Sequence, residues 1–457
     1  MAETAPMDHG RFRRPYRAWF LFLMVAVSAF SVIDRTAVLT LGQAIKRDLV
    51  LSDMQFGLIS GFGFALFYAM LGLPLARFAD TSNRMRLVAA SVAVFSVFST
   101  LGGLSRSFVQ FFLCRIFVGV GEAGVQPPTI SVISDLYPPQ KRGTALAILS
   151  VGIPAGSLVG PIAAGYLAQA FSWRTVFLLI GLPGLVVALA SWFTLREPPR
   201  GMSEHISAEN TKAPGFWAVW RHLAAKPSFW QVMAAMAITN FAAAGVGSFL
   251  PQFFTRQFNL GLGMTGVMFG VISSLSTLLG TVSGGVVVDF ISRHDKRWYV
   301  WLPGIGGLVA APLYVASFVV PNPVIALAAL TLAGASLFLY FTPTQALLQN
   351  MVEPRMRGTA AYVFFLVSGV VGYGFGPALL GQLSDHMAGH AFAGGHYLAA
   401  CPGGGALAGA LAGAVKACHD ASTSGLKFAM SLMSCLYVWA AVHFALAGKT
   451  VRRDLEG

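Results

Sequence analysis

Long apolar segments that lack charged residues dominate this chain and define its predicted elements. A helix needs about 20 consecutive apolar residues to cross the hydrocarbon core of a bilayer. Segments of that size, free of Asp, Glu, Lys and Arg, cover residues 54–76, 87–105, 143–173, 175–195, 227–255, 257–288, 358–384 and 428–448. Residues 298–352 are long enough for two spans, and Pro321-Asn322-Pro323 divides them because proline ends helices.

Two further predicted spans each contain, away from their ends, one acidic and one basic residue. They are residues 18–42, with Asp34 and Arg35, and residues 108–135, with Arg115 and Glu122. The pattern therefore predicts an all-α membrane protein with twelve transmembrane helices.

The composition agrees with a membrane location. Of the 457 residues, 56% are apolar and only 11% are charged, whereas soluble proteins carry about 25% charged residues. This composition excludes a soluble enzyme, a disordered scaffold and a nucleic-acid binder, although the net charge is +13. We expect a multi-pass protein of the plasma membrane, which in a bacterium is the inner membrane.

The placement of Lys and Arg predicts the orientation, because these residues concentrate on the cytoplasmic side. If the N-terminus is cytoplasmic, few basic residues lie on the opposite side. They are Lys46, Arg47, Arg106, Arg174, Arg256, Lys416 and Lys427. Apart from Arg35 and Arg115 within the spans, all others are cytoplasmic. Both termini are therefore predicted to be cytoplasmic, with basic loops that contact the anionic headgroups of the lipid bilayer.

An internal repeat divides the chain into two similar halves, as in many transporters. Three motifs occur twice, in the same order and at nearly the same spacing. They are Lys141-Arg142-Gly143-Thr144-Ala145 and Met356-Arg357-Gly358-Thr359-Ala360, Gly160-Pro161 with Gly165 and Gly376-Pro377 with Gly381, and Asp80-x-x-Asn83-Arg84 and Asp289-x-x-Ser292-Arg293. We expect an N-terminal six-helix half (1–196), a polar cytoplasmic linker (197–226) and a C-terminal six-helix half (227–457).

The repeated motifs resemble those of the major facilitator superfamily of transporters over nearly the whole chain. The segment Asp80-x-x-Asn83-Arg84 resembles its cytoplasmic loop motif, although Ala76 and Thr81 replace the usual glycine and arginine. The helix 4 and helix 5 motifs are matched by Arg115-x-x-x-Gly119-x-Gly121-Glu122-Ala123 and by Gly152-x-x-x-Gly156-x-x-x-Gly160-Pro161-x-x-x-Gly165. The resemblance implies two six-helix bundles around a central cavity, lined by helices 1 and 4.

Within the superfamily, Asp34-Arg35 together with Gly121-Glu122-Ala123 resembles the spinster-like group. This resemblance implies proton-coupled movement of sphingolipids or lysophospholipids by a monomer. The same residues also occur in organic-anion:proton symporters, so the resemblance leaves the substrate class open.

The charged residues inside the spans are candidates for function, because an ionisable group in the membrane interior is costly. Arg115 and Glu122 are seven residues apart and therefore share one face of a helix. We hypothesise that Glu122 or Asp34 binds the coupled proton, while Arg115 or Arg35 competes with it and contacts an anionic substrate. The alternative is a fixed salt bridge that only braces helices 1 and 4.

The second half offers aromatic and amide side chains as a second wall for the cavity. We expect Tyr340, Gln345, Tyr362 and Phe365 to contact the substrate. An amphiphile would place its headgroup at the arginines and its tail at the aromatic residues. The alternative is that these aromatic residues pack against neighbouring helices or lipid.

Charged residues in the cytoplasmic loops are predicted to form a cytoplasmic gate. Ion pairs among them would act as latches that break in one conformation. The gate residues are Asp80, Arg84, Arg142, Asp289, Arg293 and Arg357.

The remaining chemistry is limited. Cys401 and Cys418 lie in the outer segment 386–424, where an oxidising environment favours a disulfide between them. The histidines of that segment lack the spacing of a metal site. No GxxxxGK[ST] motif is present, which argues against ATP-driven transport. We therefore expect a non-enzymatic protein without cofactors.

These features predict a proton-coupled secondary active transporter that moves a lipid-like or amphiphilic substrate by alternating access. An organic-anion:proton symporter or a drug/proton antiporter of the same fold is the alternative within this class. A non-transporting membrane sensor that uses the fold for binding is the alternative of another class.

Overall fold

The computed structural model describes residues 12–202, 216–353, 356, 359–360, 366, 368–407 and 409–456, which are helical nearly throughout. The N-terminal half contains α1 (Arg14–Thr40), α2 (Gly42–Leu49), α3 (Asp53–Gly57), α4 (Gly63–Thr81), α5 (Arg84–Gly103), α6 (Phe108–Ala123), α7 (Gln126–Leu136), α8 (Pro139–Ser150), α9 (Gly152–Ala170) and α10 (Trp173–Thr194). The predicted linker contains α11 (Phe216–Ala224). The C-terminal half contains α12 (Pro227–Gln257), α13 (Leu262–Ile291), α14 (Trp298–Val319), α15 (Pro323–Phe338), α16 (Phe341–Asn350), α17 (Gly376–Ala391), α18 (Tyr397–Ala400), α19 (Ala412–Ala447) and α20 (Val451–Glu456).

Eleven helical segments of the described chain are long and apolar enough to cross a membrane. They correspond to every predicted span except residues 358–384, part of which lies outside the described residues. The described part of that span consists of the π-helical turn Ser368–Phe375 and the beginning of α17. The prediction of an all-α, multi-pass membrane protein is confirmed.

Several predicted spans are divided rather than continuous. α3 leads through the π-helical turn Leu58–Phe62 into α4. α6 ends before Gly124 and Val125, and Pro127 lies in the first turn of α7, where proline is tolerated. α8 and α9 meet at Val151.

The last span starts much earlier than the sequence predicts. The prediction of residues 428–448 is wrong about the start, because α19 begins at Ala412. Its 36 residues rise about 1.5 Å each and therefore exceed the roughly 30 Å hydrocarbon core. The N-terminal turns project beyond the core, where charged residues such as Lys416 and Asp420 are exposed.

Large apolar side chains cover the outside of the helical bundle. Phe193 is 78% exposed, Val286 66% and Val186 65%. Soluble monomers rarely present extended apolar patches to water. These side chains therefore form the surface that contacts lipid.

The short helix α20 ties the C-terminus to the cytoplasmic end of the C-terminal half. Asp454 accepts hydrogen bonds from the backbone N–H and the hydroxyl of Ser228, at 2.8 and 2.6 Å, and so caps α12. Arg452 forms an ion pair with Asp295 at 2.7 Å. The hydrogen bond from Arg452 lowers the pKa of the Asp295 carboxyl.

Glycines bring the two halves close together at two contacts, between α9 and α13 and between α3 and α17. A Cβ atom on Gly266 would lie 2.1 Å from the carbonyl oxygen of Pro161. A Cβ atom on Gly57 would lie 2.2 Å from the carbonyl oxygen of Pro377. Both distances are far below van der Waals contact, so the absence of a side chain allows this approach.

We expect Gly266→Ala to lower the apparent melting temperature of the detergent-purified protein, because overpacking a tight contact costs about 1–3 kcal/mol. The matched control is Gly247→Ala on α12, where a Cβ atom would have nothing within 4 Å. Alanine favours a helix over glycine by about 1 kcal/mol, so the control should be neutral or stabilising. Equal melting temperatures for the two variants would contradict the close contact.

Candidate functional site

A buried ion pair joins α1 to α6. Arg115 donates to Asp34 at 2.5 Å, and the Ser99 hydroxyl from α5 donates to the other oxygen of the same carboxylate. Asp34 is 0% exposed and Arg115 3% exposed. Two neighbouring helices, α5 and α6, thus hold the Asp34 carboxylate, as expected for an ion pair with a structural role.

A second ion pair joins the same two helices and is more open. Arg35 on α1 contacts Glu122 on α6 at 3.1 Å, and the side chain of Arg35 is 43% exposed while that of Glu122 is 3% exposed. Ser31 links them, since its hydroxyl donates to Glu122 at 2.6 Å and accepts from Arg35 at 2.8 Å. The second carboxylate oxygen of Glu122 is buried without a hydrogen-bond partner among the described residues.

The four charged residues predicted to act together therefore do meet, in two specific pairs. Asp34 pairs with Arg115, and Glu122 pairs with Arg35. Each pair takes one residue from α1 and one from α6. The sequence places the four on these two helices but does not specify which acid faces which arginine.

Aromatic residues surround the two guanidinium groups. The ring of Phe64 on α4 lies 5.1 Å from the guanidinium carbon of Arg35 and 5.8 Å from that of Arg115. Such contacts stabilise a cation in a dry environment. The sequence analysis missed Phe64, because nothing distinguishes it from the many other aromatic residues in the spans.

The C-terminal half closes the site from the other side. Tyr373, in the π-helical turn Ser368–Phe375, is close enough to interact electrostatically with Arg35. Tyr373 is 55% exposed and Phe375 50% exposed, and the ring of Phe375 lies 5.5 Å from that of Phe62 in the N-terminal half. The exposed face of Arg35 therefore borders a space between the halves.

The predicted contacts from the C-terminal half have different positions. Tyr340 is buried, and its hydroxyl donates to Asn240 at 2.9 Å. Gln345 is half-buried on α16. Tyr362 and Phe365 lie outside the described residues. A substrate contact of these four residues stays a prediction.

The cytoplasmic gate residue Arg84 is buried within the N-terminal half. It donates to Asp135 at 2.5 Å and to Glu197 at 2.6 Å. Both partners belong to the N-terminal half or its link to the rest of the chain, so in this conformation Arg84 fastens α5 to α7 and to residue 197.

Of the other predicted gate residues, Arg142, Asp289 and Arg293 have described side chains. Arg142 donates to the carbonyl oxygens of Tyr137 and Ser134, at 3.1 and 2.7 Å. Asp289 and Arg293 are exposed at the cytoplasmic end of α13. Asp80 lies on α4, its side chain is outside the described part of the structure, and so is Arg357. Their role as latches stays a prediction.

The outer end of the molecule carries a buried network that the sequence analysis missed. We call Lys46, Asp53, Arg256 and Asp385 the outer network. Arg256 on α12 donates twice to Asp53, at 2.6 and 2.9 Å, and Lys46 pairs with the same carboxylate. Lys46, Asp53 and Arg256 are 1%, 2% and 3% exposed.

Asp385 completes the outer network from α17. Its carboxylate accepts hydrogen bonds from the backbone N–H groups of Asp53 and Met54, at 3.0 and 2.9 Å, and so caps α3. Burial lowers the pKa of the Lys46 ammonium to about 8, against the attraction of Asp53. Since Lys46 and Asp53 belong to the N-terminal half and the others to the C-terminal half, the outer network closes the outer end.

These acids and bases stand at the ends of predicted spans. Lys46 and Arg256 count in the sequence as basic residues of outer loops, and such residues are normally solvated. Only the fold shows that they face one another across the two halves.

Two helical halves in a membrane, an ion pair at the boundary between them and a closed outer end define a membrane transporter built from two halves. The chain belongs to the Major Facilitator Superfamily, whose family model matches residues 22–377.

Three relatives illustrate the relationship. A bacterial homologue of the human lysosomal transporter spinster, solved in an inward-facing and unoccupied conformation, matches with a TM-score of 0.88 and 30% sequence identity, over 97% of this chain and 99% of that chain. An MFS-type efflux pump of Mycolicibacterium smegmatis is 32% identical over 83% of this chain and 87% of its own length. The hexuronate transporter of Bacillus subtilis is 28% identical over 80% of this chain and 87% of its own length. The predicted superfamily and the resemblance to the spinster-like group are confirmed.

We expect Arg115→Met to lower the melting temperature sharply, because it leaves the buried Asp34 carboxylate without a cation. Breaking one partner of a buried pair costs about 3–5 kcal/mol. Adding Asp34→Asn to Arg115→Met should recover part of the loss, since no unpaired charge then remains. A double variant that melts no higher than Arg115→Met would show that the two residues are not energetically coupled.

Proposed function

We propose that this protein is a proton-coupled transporter of an anionic amphiphile, in which Glu122 binds the proton and Arg35 binds the anionic group of the substrate. Asp34 and Arg115 form the fixed pair that braces α1 against α6. The proposal therefore assigns different roles to two ion pairs that the sequence alone leaves equivalent.

The unequal exposure of the Arg35–Glu122 pair carries this proposal. Glu122 is buried, whereas the Arg35 side chain is 43% exposed and interacts with Tyr373 of the other half. A substrate entering that space reaches the cation without first displacing the acid. Asp34 offers no such access, because its carboxylate is fully buried and holds both Arg115 and Ser99.

Competition for Arg35 supplies the coupling. In this scheme the guanidinium of Arg35 favours the charged form of Glu122 while the two groups are in contact. An anionic group that draws Arg35 into the cavity leaves a buried carboxylate without its cation. Protonation is the least costly way to neutralise that carboxylate, since an arginine stays charged. Anion and proton thus bind together in this scheme, which favours symport.

The surroundings of Arg35 support an amphiphilic rather than a fully polar substrate. Phe62, Phe375 and Tyr373 border the same space, and aromatic surfaces accept an apolar tail. The likeness to a bacterial homologue of spinster over almost the whole chain points the same way. We place the substrate in the class of lysophospholipids or sphingolipids.

Two other functions of the same fold have specific support. The hexuronate transporter of Bacillus subtilis moves a small organic anion by its name, and Arg35 would suit such an anion equally well. The similarity to the efflux pump of Mycolicibacterium smegmatis favours a function in which this protein exports its substrate. A membrane sensor would bind the same ligands without moving them.

Ligand stabilisation of the detergent-purified protein separates these substrate classes. A ligand that binds only the folded state raises the melting temperature. We expect lysophosphatidylglycerol to raise it, and hexuronates and cationic drugs to leave it unchanged. The effect should vanish in Arg35→Gln and persist in the control Arg174→Gln, which removes an outer surface arginine paired with Asp48. Stabilisation by hexuronates alone would replace the lipid assignment with an organic-anion symporter.

Proton coupling is tested in proteoliposomes with fluorescent lysophosphatidylglycerol. We expect Glu122→Gln to abolish uptake driven by a pH gradient while exchange of substrate across the membrane continues, because the variant resembles the permanently protonated acid. The loss should be nearly complete, because a neutral amide neither binds nor releases the coupled proton.

The matched control for this experiment is Asp420→Asn, which neutralises an exposed acid on α19 and should leave uptake unchanged. Unaltered pH-driven uptake in Glu122→Gln would refute Glu122 as the proton site. Binding without flux in the unmodified protein would favour the sensor.

A further inference from the structure

A disulfide ties the outer segment that follows α17 to α19. Cys401 and Cys418 are bonded, with their Cα atoms 5.5 Å apart, and both side chains are buried. The tight turn Pro402–Gly404 comes directly after Cys401. The bond therefore fixes where this turn lies on the outer surface.

The turn lies on the lysine of the outer network. A Cβ atom on Gly403 would be 2.8 Å from the carbonyl oxygen of Lys46, and one on Gly404 would be 3.6 Å from the Lys46 ammonium nitrogen. Gly403 and Gly404 have φ values of +65° and +82°, which favour glycine. Their backbone covers Lys46 directly, which explains how a lysine of an outer helix becomes 1% exposed.

The same segment also contacts the arginine of the outer network. Ser422 lies one helical turn after Cys418 on α19. Its carbonyl oxygen accepts a hydrogen bond from Arg256 at 3.4 Å, and a Cβ atom on Gly404 would be 3.2 Å from its side-chain oxygen. The residues next to the two ends of the disulfide therefore pack against the two cations that hold Asp53.

We propose that the segment closed by the Cys401–Cys418 bond is a lid on the outer gate, and that reduction of this bond shifts the transporter toward opening at its outer end. The lid belongs to the C-terminal half and Lys46 to the N-terminal half, so their contact breaks when the halves separate. A disulfide restricts the conformations available to the segment it closes. Without the bond the turn is free to leave Lys46, and water reaches the outer network.

This inference requires only that the halves separate at the outer end during transport. It depends neither on the substrate class nor on the role assigned to Glu122. Failure of the proposed function would therefore leave the lid proposal intact, and failure of the lid proposal would leave the proposed function intact.

Hydrogen exchange of the purified full-length protein tests the lid, because the amides of Asp53 and Met54 donate to Asp385 across the two halves. We expect a phosphine reductant to accelerate exchange of the peptide that contains these amides by about fivefold or more, the usual lower range for coupled sites. Peptides from α5, which packs on α10 within one half, should keep their exchange rates. The double variant Cys401→Ser with Cys418→Ser should show the fast exchange with and without reductant.

A pair of glycine variants tests the contact itself while the disulfide stays intact. Gly403→Ala places a methyl group against the Lys46 carbonyl and should accelerate exchange at Asp53 and Met54. Gly409→Ala carries the same backbone penalty, with φ of +81°, but nothing lies within 4 Å of its Cβ position. We expect Gly409→Ala to exchange like the unmodified protein.

Two results would overturn the proposal. In the first, reduction accelerates exchange only in residues 396–419 and leaves the amides of Asp53 and Met54 unchanged. In the second, reduction accelerates exchange equally in α5, which indicates a general loss of stability. The free thiols Cys114 and Cys435 are removed by Ser substitution in a parallel sample. Persistence of the reductant effect there assigns it to the Cys401–Cys418 bond.

Discussion

A charge inside a bilayer needs a partner of opposite sign, and this requirement organises the interior of the protein. Asp34, Glu122 and Asp53 each face an arginine from another helix. The first two pairs hold α1 to α6 within the N-terminal half. The third joins α3 to α12 and therefore joins the two halves. Buried ion pairs thus stabilise the N-terminal half and, at the outer end of the protein, hold the two halves together.

Part of the contact between the halves relies on close backbone approach rather than on interlocking side chains. At Gly266 and Gly57 the backbone of one half lies against carbonyl groups of the other. Such surfaces separate without pulling large side chains out of pockets. The outer network differs, since Arg256 and Asp385 reach into the other half and must release their partners. Separation of the halves at the outer end must therefore break these charged contacts.

The sequence predicts most of the fold, because a transmembrane helix is a local pattern of apolar residues. It also finds Asp34, Arg35, Arg115 and Glu122, since a charge within an apolar span is conspicuous. It fails where the signal is not local. The pairing of these four residues depends on how α1 and α6 are rotated against each other.

The same reason explains the residues that the sequence analysis missed. Asp53 and Asp385 stand at the ends of spans, where charged residues are ordinary, and only tertiary packing buries Asp53 and half-buries Asp385. The extension of α19 is missed because absence of charge marks where a helix lies in lipid, not where it begins. Residues whose role comes from distant partners cannot be recognised from neighbours in the chain.

The helix that carries the candidate site also leads into the closed outer end. α1 bears Arg35 and continues through the single residue Leu41 into α2, with helical hydrogen bonds on both sides of the junction. α2 bears Lys46, and Gln43 on the same helix accepts a hydrogen bond from Arg256 at 2.9 Å. The anion site proposed at Arg35 and the outer network residue Lys46 therefore lie on one continuous helical element.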